Sequence, residues 1–431
     1  MKKLLTRLLF CLAIISSVVT NNILSAQCTY QNPIMEGADP FVTFHDGNYY
    51  VLVTRANRIG IKSSPKLQDI APLSEIKVFD FIGSPVGGHI WAPELHYIDG
   101  NWYIYSCGQN TGLDYNEEWV NYVQDRQEMF VLKSTTGDPF GPYEFYSWLM
   151  PGLGAIDETI FTHANGKKYI IWSQFNIPGQ PQNQCLYIAE LLSPKSIGVD
   201  RVMISCPDQE WELHGWPVNE GAAVLQKNGK TYIVYSGSGY LTPEYALGYL
   251  VNTDGDLLNP DSWTKVGPVF QQDPSAGIYA TGHNSFTTSP DGTEDWIAYH
   301  GRLSTDGNEP RYMFIQKFSW DDDIPEFGKP APLYTYLNCP SDTGTIINTQ
   351  VFEVNDLLIY PNPASEYLQI ELPANGCEAE IEVLNVMGQT FSNVSYTGGK
   401  LNIKELVMGI YLLKVNTGEK QYYCRFLKNS I

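Results

Sequence analysis

The sequence predicts an all-β protein, a five-bladed β-propeller followed by a small C-terminal β-sandwich. Three observations predict it. One short phrase occurs five times, as Gly47-Asn-Tyr-Tyr-Val-Leu-Val, Gly100-Asn-Trp-Tyr-Ile-Tyr-Ser, Gly166-Lys-Lys-Tyr-Ile-Ile-Trp, Gly229-Lys-Thr-Tyr-Ile-Val-Tyr and Gly292-Thr-Glu-Asp-Trp-Ile-Ala-Tyr. A few residues before each copy stands a polar residue that a plain strand does not need: Asp39, Glu94, Asp157, Glu220 and His283. The repeat stops near residue 337, and a different alternating pattern follows.

Each phrase is a turn opening a β-rich strand, so with the strand before it each makes a hairpin. The five polar residues are spaced by 55, 63, 63 and 63 residues. A period of roughly 60 residues holds about four strands of usual length with their loops, which is one propeller blade. A single blade cannot bury its own apolar face, so repeated units must stack. In a propeller the first strand of each blade lines the central channel. Equivalent positions on those strands then converge on one mouth, however distant they are in sequence.

The N-terminus reads Met1-Lys-Lys-Leu-Leu-Thr-Arg, then an apolar run, then small residues ending Leu24-Ser-Ala-Gln. That is the pattern of a secretory signal peptide, residues 1–27. Cys28 raises a lipoprotein signal as an alternative, but Gln27 directly before it fits that poorly. No later stretch is long enough to span a membrane. Without Cys11 the mature chain holds seven of the eight cysteines, an odd number. Cys185 and Cys206, and Cys377 and Cys424, are near enough in sequence to pair, and no metal-ligand spacing such as Cys-x-x-Cys occurs. Residues 28–337 form the propeller and 338–355 a polar linker. In residues 356–431, Leu357-Leu-Ile-Tyr-Pro-Asn-Pro-Ala-Ser, Ile381-Glu-Val-Leu-Asn-Val-Met-Gly-Gln and Gly409-Ile-Tyr-Leu-Leu-Lys-Val are alternating strands with Pro, Asn and Gly turns. They carry no cluster of candidate catalytic groups.

Composition narrows the partners. A formal charge of −20 over 431 residues excludes binding to nucleic acid or anionic membranes through bulk electrostatics. Aromatic content is 13%, mostly Tyr and Trp, which suits strands and also sugar-binding surfaces.

Four carboxylates and one imidazole at one channel mouth cannot all stay charged and unpaired. Hydrolysis of a glycosidic bond uses such a set. One carboxylic acid protonates the leaving oxygen and one carboxylate activates water or attacks carbon. A third carboxylate nearby keeps the acid protonated near neutral pH. Local context separates the members. Pro40 constrains the backbone at Asp39, Gly221 after Glu220 permits close approach, and Glu94 lies in His89-Ile-Trp-Ala-Pro-Glu-Leu-His beside Trp91.

Residues 32–332 resemble family 43 of the glycoside hydrolases. The matching segments are Asn32-Pro, Ala38-Asp-Pro, Trp91-Ala-Pro-Glu-Leu-His, Gly141-Pro-Tyr, Ala155-Ile-Asp, Trp211-Glu, Val218-Asn-Glu-Gly, Gly282-His-Asn-Ser-Phe and Ser289-Pro-Asp-Gly-Thr-Glu-Asp-Trp-Ile. The resemblance implies Asp39 as general base, Glu220 as general acid and Asp157 as the residue that tunes and orients the acid. It implies single displacement with inversion, with base and acid ~6.5–9.5 Å apart. It also associates His283 with a structural Ca²⁺ in the channel, which the chemistry itself does not require. Trp91, Glu94, His89 and Arg302 are candidate substrate contacts, with Arg311 as an alternative to Arg302.

Val218-Asn-Glu-Gly, Tyr245-Ala-Leu-Gly and Gln316-Lys-Phe-Ser-Trp are similar to the exo-acting α-L-arabinofuranosidase branch. Ala222 stands where that branch has Pro, and Glu158 where a small residue is common. The long acidic 107–130 region is a candidate wall for the pocket. β-Xylosidase, endo-arabinanase and a non-catalytic glycan-binding propeller are the competing expectations; the Asn-Asp-Pro-Asn and Arg-Asp-Pro motifs of fructan-active propellers are missing. The segment from Tyr360-Pro-Asn-Pro-Ala-Ser to the C-terminus resembles the sorting domain of the type IX secretion system. That implies a secreted or outer-membrane-attached enzyme acting on plant cell-wall polysaccharide, with the secretion machinery as partner.

Overall fold

The structure is a computed structural model that describes residues 28–112, 127–174, 183–342, 358–371, 379–385, 390–391, 394–417 and 421–429. The signal peptide, most of the acidic 107–130 region, Cys377, residues 343–355 of the linker and the first two residues of the C-terminal segment lie outside the described residues. The chain divides into two compact units, Met1–Thr343 and Gly344–Ile431.

Unit one is a ring of five antiparallel sheets. Blade I consists of Phe41–His45, Asn48–Leu52, Arg58–Ser64 and Ile76–Asp80, and blade II of Trp91–Ile98, Asn101–Gln109, Gln127–Ser134 and Tyr143–Trp148. Blade III is built from Ala155–Thr162, Lys168–Gln174, Cys185–Ser193 and Val202–Ser205, and blade IV from Asn219–Lys227, Lys230–Gly237, Ala246–Asn252 and Trp263–Phe270. Blade V takes Tyr279–Thr288, Asp295–Arg302 and Tyr312–Asp321, and its fourth strand is the N-terminal Met35–Glu36. The first strands of successive blades pack on one another in cyclic order, and blade V packs back on blade I. The five-bladed ring of the sequence reading is therefore present.

The repeated phrase has two structural causes. In blades I, II and IV its turn is Asp46-Gly47, Asp99-Gly100 or Asn228-Gly229, with positive φ at both residues. That is the two-residue hairpin turn whose twist matches the flanking strands. The run after the Gly is apolar on both faces because each blade is covered on both sides. Tyr50 and Leu52 pack toward blade II with Trp102 and Ile104. Tyr49 and Val51 pack toward blade V with Trp296 and Ala298. Tyr103 and Tyr105 turn the other way, to Ile170 and Trp172 of blade III. Strand alternation thus sends successive residues into two different inter-blade cores. Trp172 is fully buried in one of them, and truncating such a side chain to Ala costs about 3–5 kcal/mol.

The ring is tied at its seam. Thr29–Tyr30 pairs with Leu337–Asn338, and Cys28 is disulfide-bonded to Cys339. Ser341 then donates to Asp291, and its N–H to Glu294. Residues 338–342, read from the sequence as linker, are therefore held on blade V. Cys28, for which the sequence suggested no partner, is thus engaged in a disulfide, and of the two candidate pairs Cys185–Cys206 is bonded. Unit two has two four-stranded antiparallel sheets around a core that includes Leu368, Val383, Leu401, Leu413 and Phe426. Among the described residues no helix is long and apolar enough to cross a membrane.

Candidate active site

The inner strands of blades II to V break their register near the channel mouth, and the breaks place much of the site. Blades II to V carry bulges at Trp91/Glu94, Ile156/Thr159, Glu220/Ala223 and Gly282/Ser285. Within each bulge one residue is left-handed: Ala92 (φ 40°), Asp157 (φ 56°), Gly221 (φ 58°) and His283 (φ 46°). Asp39 (φ 53°) is the counterpart just before the blade I strand. A non-glycine residue in this region carries strain of roughly 1–3 kcal/mol, and such residues gather at functional sites.

This register corrects the sequence alignment of the five ring residues. Asp39, Asp157 and His283 are equivalent. Glu220 stands one residue before its left-handed Gly221, and Glu94 two residues after Ala92. The bulge alters which way successive side chains point, so Glu94 does not line the pocket. It is half-buried instead, accepting from His96 Nε2 at 2.7 Å and from Thr159.

The pocket encloses about 160 Å³. Asp39, Asp157 and Glu220 all line it, as do His283 and Trp91. Thr54, Ile156, Gln184, Trp216, Tyr240 and Arg311 complete its wall. Two expected contacts lie elsewhere. His89 is exposed and edge-on to Trp91, 6.5 Å between ring centroids. Arg302 is buried behind the wall, where it donates to the carbonyls of Tyr240 and Glu309. The cation in the pocket is Arg311, the alternative candidate. It stands 4.8 Å over the Tyr240 ring and reaches Asp39.

Asp39 is only 7% exposed. Burial alone raises a carboxyl pKa, but here it is overridden. Arg311 Nη1 lies 2.6 Å from Oδ1, His283 Nδ1 lies 3.3 Å from it, and Thr54 Oγ1 donates to Oδ2 at 2.7 Å. These neighbours hold the Asp39 carboxyl well below the usual range. Asp39 N–H donates to His300 Nδ1 at 3.2 Å. Nδ1 is thus an acceptor, and the 3.3 Å from it to Oδ1 is no ion pair. Burial, followed by the nearby Arg311 charge, pushes the imidazole down to about 3, which agrees with a neutral ring.

Glu220 is buried to the same degree with neutral partners. Tyr245 OH donates to Oε1 and Gln184 Nε2 to Oε2, each at 3.0 Å. Burial outweighs these bonds and lifts Glu220 to about 7. Asp157 is pushed well above its ordinary value by burial, then by the charges of Glu220 and Asp39. Its Oδ2 accepts the Gly221 N–H at 3.1 Å, which fixes the backbone next to Glu220. The pair retains a proton up to about neutral pH, while Asp39 is ionised.

The peptide at Glu220 is set from behind as well. Asn219 donates to Glu212, whose buried carboxylate also accepts from Tyr235 and Lys265. Trp211, beside Glu212, fills a slot cleared by Gly237, Gly248 and Gly267, where a Cβ would come within 2.6 Å of the indole. The Trp211-Glu motif therefore acts through Asn219 and does not enter the pocket. Glu158 likewise turns away, buried beside Glu94 and Cys107, and burial pushes its carboxyl well up.

Calcium fits this donor set poorly. His283 Nδ1 faces Asp39 and, at 3.9 Å, Asp157, and calcium prefers six to eight oxygens. Among the described residues no three His, Cys, Asp or Glu side chains are arranged to hold a metal. No chemical step is routed through an ion here.

Thr54 and His300 were missed in the sequence although both directly follow a copy of the repeated phrase. Gln184, Trp216 and Tyr240 come from loops and strand ends with no periodic signal.

Comparison with known proteins follows the same division. Residues 30–325 match the model for glycosyl hydrolases family 43, and residues 358–429 the secretion system C-terminal sorting domain. An extracellular exo-α-(1→5)-L-arabinofuranosidase of Streptomyces avermitilis is 38% identical over 71% of this chain and 65% of its own length. An α-L-arabinofuranosidase of Humicola insolens is 36% identical over 69% of this chain and 63% of its own. The chain thus spans just under two thirds of these relatives. The crystal structure of an α-L-arabinofuranosidase from Lactobacillus brevis superposes with a TM-score of 0.65 at 34% identity, covering 71% of this chain and 98% of that one. The chain belongs to glycosyl hydrolases family 43 and carries a secretion-system sorting domain at its C-terminus.

Proposed function

We propose that the protein is a secreted, inverting exo-α-L-arabinofuranosidase that removes terminal arabinose from arabinan or arabinose-substituted plant glycans. The observation that carries this reading is the asymmetry of the pocket. A carboxylate held ionised at Asp39 faces a carboxylic acid held protonated at Glu220, in a cavity of about 160 Å³. That volume is below the ~300–1,000 Å³ of pockets for drug-sized ligands and suits one terminal sugar rather than a threaded chain. The half-buried Trp91, Trp216 and Tyr240 offer faces for sugar C–H groups.

In the proposed reaction Asp39 takes a proton from the water attacking the anomeric carbon. Glu220 gives its proton to the departing oxygen, and the configuration inverts. Asp157 holds the Gly221 peptide beside Glu220 and, with its own carboxyl pushed up by burial and by the Glu220 charge, shares the proton of the pair. Arabinose specificity draws its support from the two curated relatives, both named arabinofuranosidases. The type IX machinery is the proposed exporter, with the C-terminal unit as its recognition element.

The test is a panel of aryl α-L-arabinofuranosides, aryl β-D-xylosides and linear or branched arabinan, with the product anomer followed by NMR. Release of arabinose from chain ends with inversion is expected. Retention of configuration would reject the mechanism, preference for xylosides would reject the specificity, and binding without turnover would make this a glycan-binding propeller.

A further inference from the structure

The residue directly after the repeated phrase stands at an equivalent point in every blade, seven residues after the turn Gly in blades I to IV and eight in blade V. The residues there are Thr54, Cys107, Ser173, Ser236 and His300. All five carry a side-chain heteroatom, at the end of a strand whose preceding residues are apolar. In the ring, four of them receive the N–H of the left-handed residue of the next blade. Ala92 N–H donates to Thr54 Oγ1 at 2.8 Å, Asp157 N–H to the Cys107 sulfur, His283 N–H to Ser236 Oγ at 2.8 Å and Asp39 N–H to His300 Nδ1 at 3.2 Å. The exception is blade IV. There Ser173 donates to the Asn219 carbonyl, and the Gly221 N–H goes to the Asp157 carboxylate.

We propose that His300 is a positioning residue for the base: its Nδ1 clamps the left-handed peptide of Asp39 and so aims the Asp39 carboxylate at the attacking water. The inference rests on the reading of Asp39 as general base. Three observations make this brace distinct from its hydroxyl and thiol counterparts. Asp39 precedes Pro40, which removes the neighbouring N–H and disfavours compact backbone at residue 39, so this peptide needs the strongest hold. His300 is fully buried and stacks on Tyr245, ring centroids 5.4 Å apart and planes within 2°. Tyr245 is the donor to Glu220 Oε1, so one rigid aromatic pair sets the base through a backbone bond and the acid through a hydroxyl. Gly282, the cross-strand partner of His300, clears the space, since a Cβ there would meet the Tyr245 ring at 2.3 Å.

The test compares His300→Asn, which keeps an acceptor at the Nδ1 position, with His300→Phe, which keeps a ring and loses the acceptor. In hydrogen exchange read by mass spectrometry, the peptide containing Asp39 is expected to exchange faster in H300F and near the parent rate in H300N. Pro40 contributes no amide, which simplifies the assignment. On an aryl arabinofuranoside, kcat of H300F is expected to fall by about ten- to a hundredfold, part of the 10²–10⁴ a positioned acid or base contributes, with little change in KM. Azide needs no general base, so it is expected to restore turnover in H300F by attacking the anomeric carbon itself, releasing the protonated alcohol and a glycosyl azide of inverted configuration. H300N is expected to keep most of the parent rate. Unchanged exchange and unchanged kcat in H300F would overturn the proposal. So would equal impairment of folded H300F and H300N without azide rescue. If H300F does not fold, His300→Gln, whose acceptor lies one bond further out, takes its place with the same outcomes. A parent enzyme inactive on every aryl glycoside would sink the functional reading instead, and the exchange experiment would still decide the brace.

Discussion

Asp39 and Glu220 stand in one pocket, are 7% and 8% exposed, and carry the same functional group. Their surroundings are opposite. The blade I side of the pocket surrounds its carboxylate with the Arg311 cation, the His283 imidazole and the Thr54 hydroxyl. Around Glu220 on blade IV stand a phenol, an amide and, from blade III, a second acid, Asp157. Equal burial with unequal neighbours separates a carboxyl held ionised from one held protonated. Desolvation is the shared background, and the charges decide the sign.

The largest effects come from removing either member of the pair. Asp39→Asn and Glu220→Gln are each expected to lower kcat on arabinan oligosaccharides by about 10²–10⁴-fold. Replacing the substrate with an aryl arabinofuranoside sharpens the comparison. A good leaving group needs no acid, so E220Q should recover most of its rate there and D39N should not. Equal losses on both substrates would break the assignment of roles.

A smaller effect should come from Arg311→Met, read as a pH profile. Asp39 has a lowered pKa, so its ionised form and its contribution to stability persist at neutral pH and are lost as pH falls through the folded value. Without the cation that value rises, so the acidic limb of kcat/KM should move to higher pH while the alkaline limb stays. An unmoved acidic limb would show that Arg311 does not set the base.

Tyr245→Phe is expected to do least, and on the opposite limb. Glu220 has a raised pKa of about 7. Its protonated form is complete below the unfolded value of 4.5 and is lost as pH rises through about 7, which is where the alkaline limb should lie. The Tyr245 bond favours the ionised form. Losing it should move the alkaline limb upward and change kcat at pH 6 only severalfold, within the ~0.5–1.5 kcal/mol of a hydrogen bond between neutral groups. A downward shift would contradict the electrostatics proposed for blade IV.

Much of the ring was legible because its signals are local and repeated. Asp-Gly and Asn-Gly turns and a run apolar on both faces mark the second strand of a blade wherever it occurs. The identity of the acids was legible too, since Asp39, Asp157 and Glu220 interrupt otherwise ordinary strands. Glu94 shows the limit. A left-handed residue inside a bulge adds one residue to the inner strand without leaving a mark in composition, so even spacing put Glu94 where Ala92 stands. Arg302 and Arg311 flank one loop and are indistinguishable in sequence; only the fold turns one to Tyr240 and Glu309 and the other to Asp39. At the chain ends, the pairing of Cys28 with Cys339 joins residues 311 positions apart, beyond any local pattern.

By itself the sequence determined the all-β class, the number of blades, the two-unit division and the set of carboxylates, because strand alternation and turn chemistry act over a few residues. The family resemblance implied which carboxylate is base and which is acid; tertiary structure decided the opposite charge states on which the proposed roles rest. Those charge states depend on the electric field at each group, and at Asp39 it comes from Arg311, with His283 beside it, which reach the carboxylate only when blade V closes on blade I.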